Sequence, residues 1–270
     1  METSLPAWSP DGDIEALRAF KDNYIWLLQR HGKAVVVDPG DAGPVRSALE
    51  HHGLELEAIL LTHHHADHAG GVAELVESAG AGVRVLGPAA ESITGVSEPL
   101  QGGEVARIEG LGLELQVLSV PGHTRGHLAY YGLWNGASVL FCGDTLFGAG
   151  CGRLFEGSPA QMADSLGRLA GLPAQTLVFC AHEYTAANLR FAAVVEPQNG
   201  QVAKRVRAVA DLMATERSSV PSTLALELAT NPFLRCAEAA VKASASQWAG
   251  RPLMDALAVF TALREWKNVF

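Results

Sequence analysis

The feature that most constrains this chain is a short apolar run that ends directly in a cluster of histidines. Residues 58–61 read Ala-Ile-Leu-Leu, and the polar sequence THHHADH follows at 62–68. A continuous apolar run of this length is typical of a strand that is buried on both faces. The sequence therefore predicts a buried strand that presents imidazole groups at its carboxyl end.

The spacing inside the cluster suits metal binding better than a polar loop that happens to be rich in histidine. Side chains alternate in an extended segment, so His63 and His65 can point the same way while His64 points elsewhere. Two imidazoles at i and i+2 can bind one metal ion. Asp67 and His68 follow, where the chain turns into a helix expected to begin near Ala69, and they can face a second ion.

Three more potential ligands occupy equivalent places, each directly after a predicted strand. They are His123 after Leu118–Gly122, Asp144 after Val139–Gly143 and His182 after Leu177–Ala181. Ligands belong at strand ends because the sheet fixes their positions while the loops leave room for a substrate. We predict one ion on His63, His65 and His123, a second on Asp67, His68 and His182, and Asp144 as a bridge.

Periodicity divides the chain into two regions. Short strands punctuated by glycine, with helices between them, fill residues 1–184 and predict two packed sheets covered by helices, an αββα sandwich. From residue 185 onward, helices are predicted at 185–196, 200–217 and 253–267, joined by a segment at 218–235 that contains Pro, Ser and Asn. We predict a catalytic domain at 1–184 and a helical domain at 185–270.

Composition narrows the class of protein. The net charge of −9 argues against a nucleic-acid partner, although ten Lys/Arg and seven Asp/Glu give residues 185–270 a net +3 and leave −12 for the rest. No uncharged apolar stretch is long enough to span a membrane, and METSLPAWSPDGD at the start lacks the features of a secretory signal. The four cysteines are widely spaced, so we expect free thiols and a cytoplasmic protein.

Several motifs resemble a known family. THHHADH, PGHTRGH, FCGDTLF and AHEYT are similar to those of the metallo-β-lactamase superfamily. CGRLFEG, VPSTLALELATNPFLR and the closing LREWKNVF narrow the resemblance to glyoxalase II, hydroxyacylglutathione hydrolase. The resemblance covers nearly the whole chain, including the helical region that most of the superfamily lacks.

The resemblance implies hydrolysis of S-D-lactoylglutathione to glutathione and D-lactate at a binuclear metal site. It places ligands at the seven positions above, of which Asp67 and Asp144 are predicted to be catalytic. It also places substrate contacts at Arg153, Phe155, Tyr184, Arg264 and Lys267. The family often has a tyrosine where Phe155 stands, so a hydroxyl contact is in doubt there. His127 is expected to support a ligand, and His31, His51 and His52 are expected to have no role.

The donor types favour zinc and would also accept iron or manganese. Two ions would make hydroxide available near neutral pH, so no serine or cysteine nucleophile is needed, and Cys142 and Cys180 are expected to fill the core. A mononuclear-iron persulfide dioxygenase of the same fold is the alternative, as is a hydrolase of another acyl-thioester. A nuclease would need a basic arm, and a flavodiiron protein would need a flavin domain and a Glu at position 65. We expect a monomer that acts on a small-molecule substrate.

Overall fold

The computed structural model describes residues 14–80 and 82–270. The opening segment used for the prediction about a secretory signal lies outside these residues. Across the described ranges, none of the helices combines the length and the apolar character that crossing a membrane requires.

The first sheet has six strands in chain order. They are β1 (Ile14–Ala19), β2 (Asn23–Arg30), β3 (Lys33–Val37), β4 (Glu55–Leu60), β5 (Arg84–Pro88) and β6 (Glu98–Leu100). The pairs β1–β2 and β2–β3 are antiparallel, whereas the pairs from β3 to β6 are parallel. Parallel neighbours require crossover segments, and helices α1 (Ala42–His52) and α3 (Val72–Ala79) occupy two of these crossovers.

The apolar run at 58–61 is buried, as its sequence predicts. Ile59 and Leu61 belong to a core with Val45 of α1 and Leu75 of α3, while Leu60 on the opposite side is also completely buried. Local signals fix the ends of α1. Asp41 caps its first turn by accepting from the Gly43 amide at 2.8 Å, and Gly53 ends it in the left-handed conformation with φ 63°.

A second group of strands forms an antiparallel meander. These strands are β7 (Val105–Ile108), β8 (Leu113–Ser119), β9 (Leu128–Trp134) and β10 (Ala137–Gly143), with a 3-10 helix at Glu109–Leu111. Tyr130 of β9 is fully buried, and its hydroxyl donates to the Leu61 carbonyl at 2.7 Å. The two groups of strands, with α1 and α3 packed on the first, agree with the α/β class that the strand pattern predicts.

The rest of the chain is mainly helical. It contains the strands β11 (Leu146–Phe147), β12 (Gly150–Cys151), β13 (Leu177–Cys180) and β14 (Ser222–Thr223), and the helices α4 (Pro159–Ala170), α5 (Thr185–Val195), α6 (Gly200–Ala214), α7 (Leu224–Thr230), α8 (Ala239–Ala249) and α9 (Ala256–Val269), with a 3-10 helix at Pro232–Leu234. The short helix α2 (Ala66–Ala69) precedes α3 in the first part of the chain.

Some predicted elements need correction. The segment 218–235 was expected to be a connection, but it contains α7, whose N-cap Thr223 accepts from the Leu226 amide at 3.2 Å. Helix α8 was not predicted. Asp67 and His68 were expected before a helix starting near Ala69, but they lie within α2.

The chain divides into two compact units. The first runs to Ser119 and includes Gly126–Gly143; the second consists of Val120–Arg125 and Asp144–Phe270. The second unit therefore contains β11–β14 and α4–α9 and starts well before residue 184.

Candidate metal centre

In the first unit, the carboxyl end of β4 carries the histidine cluster. His63 and His68 are fully buried, and their rings lie 4.0 Å apart between centroids. His63 Nε2 is 3.1 Å from His65 Nδ1, and His68 Nε2 is 3.6 Å from Asp67 Oδ2. His63 and His65 thus meet on one side, as strand alternation requires.

Asp38 fixes this cluster, and sequence analysis missed it. It lies directly after β3, is 3% exposed, and accepts from the Thr62 amide and hydroxyl at 2.8 and 2.7 Å. It also lies 3.0 Å from His68 Nδ1. Because Asp38 binds the Nδ1 side of His68, the Nε2 side is directed towards Asp67. The available signal was its position after a strand, which was interpreted as a turn in VVVDPG.

The tautomer of His63 follows from the same contacts. The single hydroxyl hydrogen of Thr62 goes to Asp38, so the Thr62 oxygen accepts from His63 Nδ1, which is 3.0 Å away. The lone pair of His63 is then on Nε2, which faces His65. Neutral imidazole with its lone pair directed at other donors is the form that binds a metal.

His64 points elsewhere. Its Nδ1 lies 2.8 Å from Glu91 Oε2, and the other carboxylate oxygen of Glu91 accepts from the Gly126 amide at 3.0 Å. His127 is fully buried and stacks on His63 with centroids 4.6 Å apart. These contacts suit His64 and His127 to a role in supporting the cluster.

In the second unit, Asp144 lies between two histidines. Its Oδ2 is 3.3 Å from His123 Nε2, and its Oδ1 is 3.4 Å from His182 Nε2. His123 Nδ1 donates to the Arg153 carbonyl at 2.9 Å, which leaves the lone pair on Nε2 beside Asp144. Gly152 makes this arrangement possible, because a Cβ there would overlap the Asp144 carbonyl.

The two cysteines beside the strand ends are core residues. Cys142 and Cys180 are completely buried. Burial raises the pKa of Cys180 to about 12, and its thiol donates to the His182 carbonyl at 3.6 Å. A neutral buried thiol is a poor ligand and a poor nucleophile.

Two exposed aromatic side chains border His123 and His182 in the second unit. The Phe155 ring lies 5.2 Å from that of His123, and Tyr184 stacks on His182 at 4.7 Å. Phe155 is 63% exposed and Tyr184 is 36% exposed. Both are therefore available to a ligand that approaches these histidines.

The remaining predicted substrate contacts belong to a group of cations on and near α9. Burial lowers the pKa of Lys267, and the neighbouring charges of Arg264, Arg190 and Arg153 lower it further. Arg190 was not predicted. Its signal was a cationic side chain in the basic helical region. It lies on α5 directly before Phe191, whose ring lies 5.6 Å from Lys267 Nζ.

Arg264 differs from Lys267 in its surroundings. It is 5% exposed, and its Nη1 donates to the carbonyls of Cys151 and Gly152 at 3.0 and 3.4 Å. Its Nε is buried and makes no hydrogen bond to the described residues. Arg264 thus holds the segment that leads to Arg153 while contributing positive charge.

The donor atoms suit divalent ions. Tetrahedral zinc with bonds of 2.0–2.1 Å to nitrogen or oxygen separates its ligand atoms by about 3.3 Å. The four separations within the units, 3.1, 3.6, 3.3 and 3.4 Å, are close to that value. Imidazole and carboxylate donors, with His63, His68 and His123 oriented by neighbouring groups, therefore fit a metal centre.

The fold and the donors together define a class. Residues 19–182 match the family model of the metallo-beta-lactamase superfamily, to which the chain belongs. A model of the hydroxyacylglutathione hydrolase C-terminus matches residues 183–270. The chain is also 55% identical to a hydroxyacylglutathione hydrolase of Dechloromonas aromatica, over 96% of this chain and 99% of that protein. It is a member of the hydroxyacylglutathione hydrolase family.

A second relative bears the same name, and a solved structure shares the fold. A hydroxyacylglutathione hydrolase of Nitrosomonas eutropha is 51% identical over 96% of this chain and 99% of its own length. Among solved structures, TTHA1623 in a di-iron-bound form is 28% identical, with a TM-score of 0.56 over 82% of this chain and 100% of that one.

Proposed function

We propose that this chain is a glyoxalase II, which hydrolyses S-D-lactoylglutathione to glutathione and D-lactate at a binuclear metal centre. The observation that carries the proposal is the position of Asp144. Each of its two carboxylate oxygens faces a different imidazole, that of His123 or that of His182. A carboxylate in this position suits a bridge between two ions.

The proposed ligand sets are those expected from the sequence. His63, His65 and His123 would hold one ion, Asp67, His68 and His182 would hold the other, and Asp144 would serve both. The orientation of His63 by Thr62, of His68 by Asp38 and of His123 by the Arg153 carbonyl supports these roles.

Zinc is the proposed metal, because imidazole and carboxylate without thiolate suit it well. The di-iron-bound form of TTHA1623 supports iron as an alternative. Manganese is acceptable to the same donors. Metal analysis of the purified protein discriminates among the three.

When bound, two divalent ions make hydroxide available near neutral pH and polarise the thioester carbonyl. The chain's own residues bind and orient the substrate. Phe155 and Tyr184 offer apolar surfaces beside His123 and His182. Arg153, Arg264 and Lys267 supply positive charge for the carboxylates of glutathione, in a molecule whose net charge of −9 would otherwise repel them. Asp67 and Asp144 are the proposed catalytic carboxylates.

The proposal extends to the organisation of the protein. A catalytic domain at 1–184 and a helical glutathione-binding domain at 185–270 agree with the two family models, which meet at residues 182 and 183. We also propose a cytoplasmic monomer. Analytical ultracentrifugation tests the oligomeric state.

The test is hydrolysis of S-D-lactoylglutathione by the purified protein, followed through loss of thioester absorbance and release of free thiol. We expect turnover that stops on treatment with a chelator. The same acyl group on coenzyme A or N-acetylcysteamine is the control for the thiol carrier. Equal kcat/KM for all three carriers, or no turnover of any of them, would contradict the proposed function.

A further inference from the structure

In the second unit, a small hairpin lies between Asp144 and Arg153 in the chain. Its strands, β11 and β12, pair Leu146 with Cys151 and Phe147 with Gly150. Asp144 lies two residues before the hairpin and Arg153 two residues after it. The position of the hairpin therefore bears on both of these residues.

Three buried side chains bind the backbone of this hairpin at its turn. Asn231 Nδ2 donates to the carbonyls of Phe147 and Gly150 at 3.3 and 2.9 Å, and Asn188 Nδ2 donates to the Gly148 carbonyl at 3.0 Å. Glu227 Oε2 accepts from the Ala149 amide at 2.8 Å. We call Asn188, Glu227 and Asn231 the hairpin clamp.

Glu227 is itself held by a buried ion pair. Its Oε1 accepts from Arg205 Nη2 and from Ser222 Oγ, both at 2.6 Å. Glu227 is 0% exposed and Arg205 is 4% exposed. Arg205 Nη1 also donates to Thr230 Oγ1 at 2.7 Å. Burying such a pair costs desolvation energy, and apolar side chains of similar size often stabilise a fold as well or better. Stability alone is therefore a weak reason for this pair.

The end of the hairpin opposite its turn leads directly to the proposed ligands. The Gly152 amide donates to the Thr145 carbonyl at 3.2 Å, which closes the hairpin next to Asp144. The Arg153 carbonyl then accepts from His123 Nδ1 at 2.9 Å. A displaced hairpin would move the Asp144 carboxylate and would change the orientation of the His123 ring.

We propose that Glu227, with Arg205 as its partner, is a positioning residue that fixes Asp144 and His123 for metal binding through the hairpin. This inference rests on the proposed function only in taking these two side chains as ligands. The buried pair of Glu227 and Arg205 would then support the metal centre, although neither residue is itself a proposed ligand.

Two double variants separate the hairpin contact from the ion pair. Arg205→Met with Glu227→Gln removes both charges but leaves an amide oxygen that can accept from Ala149. Arg205→Met with Glu227→Leu removes the charges and that acceptor. The measurement is the zinc dissociation constant of each metal-free variant, from competition with a chromophoric chelator, together with circular dichroism and thermal unfolding.

We expect the Gln variant to bind zinc within about threefold of the wild type. The Leu variant should bind about 10- to 100-fold more weakly, the usual effect of losing a residue that orients a ligand. Equal zinc affinity in two folded variants would overturn the inference. The result does not depend on the substrate, so a failure to hydrolyse lactoylglutathione is distinguishable from a failure here.

A second variant covers the case in which the Leu variant does not fold. Asn188→Ala removes one clamp contact without touching the ion pair, and alanine favours the helical conformation of α5. We expect zinc binding several-fold weaker than in the wild type, with Gln201→Ala, at an exposed position of α6, as the control for losing an amide. Unchanged affinity in Asn188→Ala would contradict the role of the clamp.

Discussion

At the residue scale, alternation along the exit of β4 assigns different tasks to adjacent histidines. His63 faces His65, whereas His64 faces Glu91. We predict that His63→Ala lowers kcat/KM by at least about 100-fold and reduces the bound metal, because it removes a ligand. His64→Asn is the matched control, since an amide can still donate to Glu91. Metal content and kcat/KM measured on both variants check this. Equal metal loss from the two variants would contradict the assignment.

Lys267 gives a prediction about pH at the same scale. Its pKa is lowered, so it loses its positive charge at a lower pH than an ordinary lysine. Substrate binding should be complete below that pKa and should weaken as the pH rises through it. We therefore expect kcat/KM to fall in the alkaline range below the ordinary lysine pKa, because kcat/KM reports groups of the free enzyme.

The control is Lys267→Arg, which keeps its charge at every accessible pH. The alkaline fall in kcat/KM should disappear in this variant once spontaneous thioester hydrolysis is subtracted. A fall that persists unchanged would show that another group titrates.

At the element scale, helix α9 carries two cations three residues apart that do different work. Lys267→Ala should raise KM strongly and leave kcat and metal content nearly unchanged, because binding remote from the chemistry is similar in the ground and transition states. Steady-state kinetics and metal analysis check this. Added salt should weaken the wild type towards this variant by screening the same charge. An unchanged KM would contradict the role of α9 in glutathione binding.

Arg264→Ala should have a second effect. Its Nη1 binds the carbonyls of Cys151 and Gly152, so its loss leaves buried acceptors without a donor. We expect the free energy of unfolding to fall by about 1–3 kcal/mol, in addition to a raised KM. Denaturant unfolding of Arg264→Ala and of Lys267→Ala checks this. Equal free energies of unfolding for the two variants would contradict the structural role of Arg264.

The same scale shows what a sequence can predict. Buried apolar runs precede His63, Asp144 and His182, whereas β8 before His123 alternates between buried and exposed residues. Local patterns are enough to predict a strand before each proposed ligand. Asp38 was missed because its contact with His68 joins residues 30 apart, which no local pattern reveals. Helix α7 was missed because Pro221, Ser222 and Asn231 signal a loop. The last two in fact bind Glu227 and the hairpin.

At the scale of the whole molecule, charge and activity are linked. The chain has a net charge of −9, yet residues 185–270 are positive and contain Arg190, Arg264 and Lys267. A substrate with free carboxylates is attracted to such a local group of cations even when the protein as a whole repels it. The acidic remainder includes the carboxylates that we propose as ligands, Asp67 and Asp144.

The most direct test of the central claim is a metal titration of the metal-free protein. Zinc is added in known equivalents, and hydrolysis of S-D-lactoylglutathione is measured at each step alongside the bound metal. We predict that activity rises to a plateau at two ions per chain, with first-order loss on chelation. A plateau at one ion per chain would contradict the binuclear account.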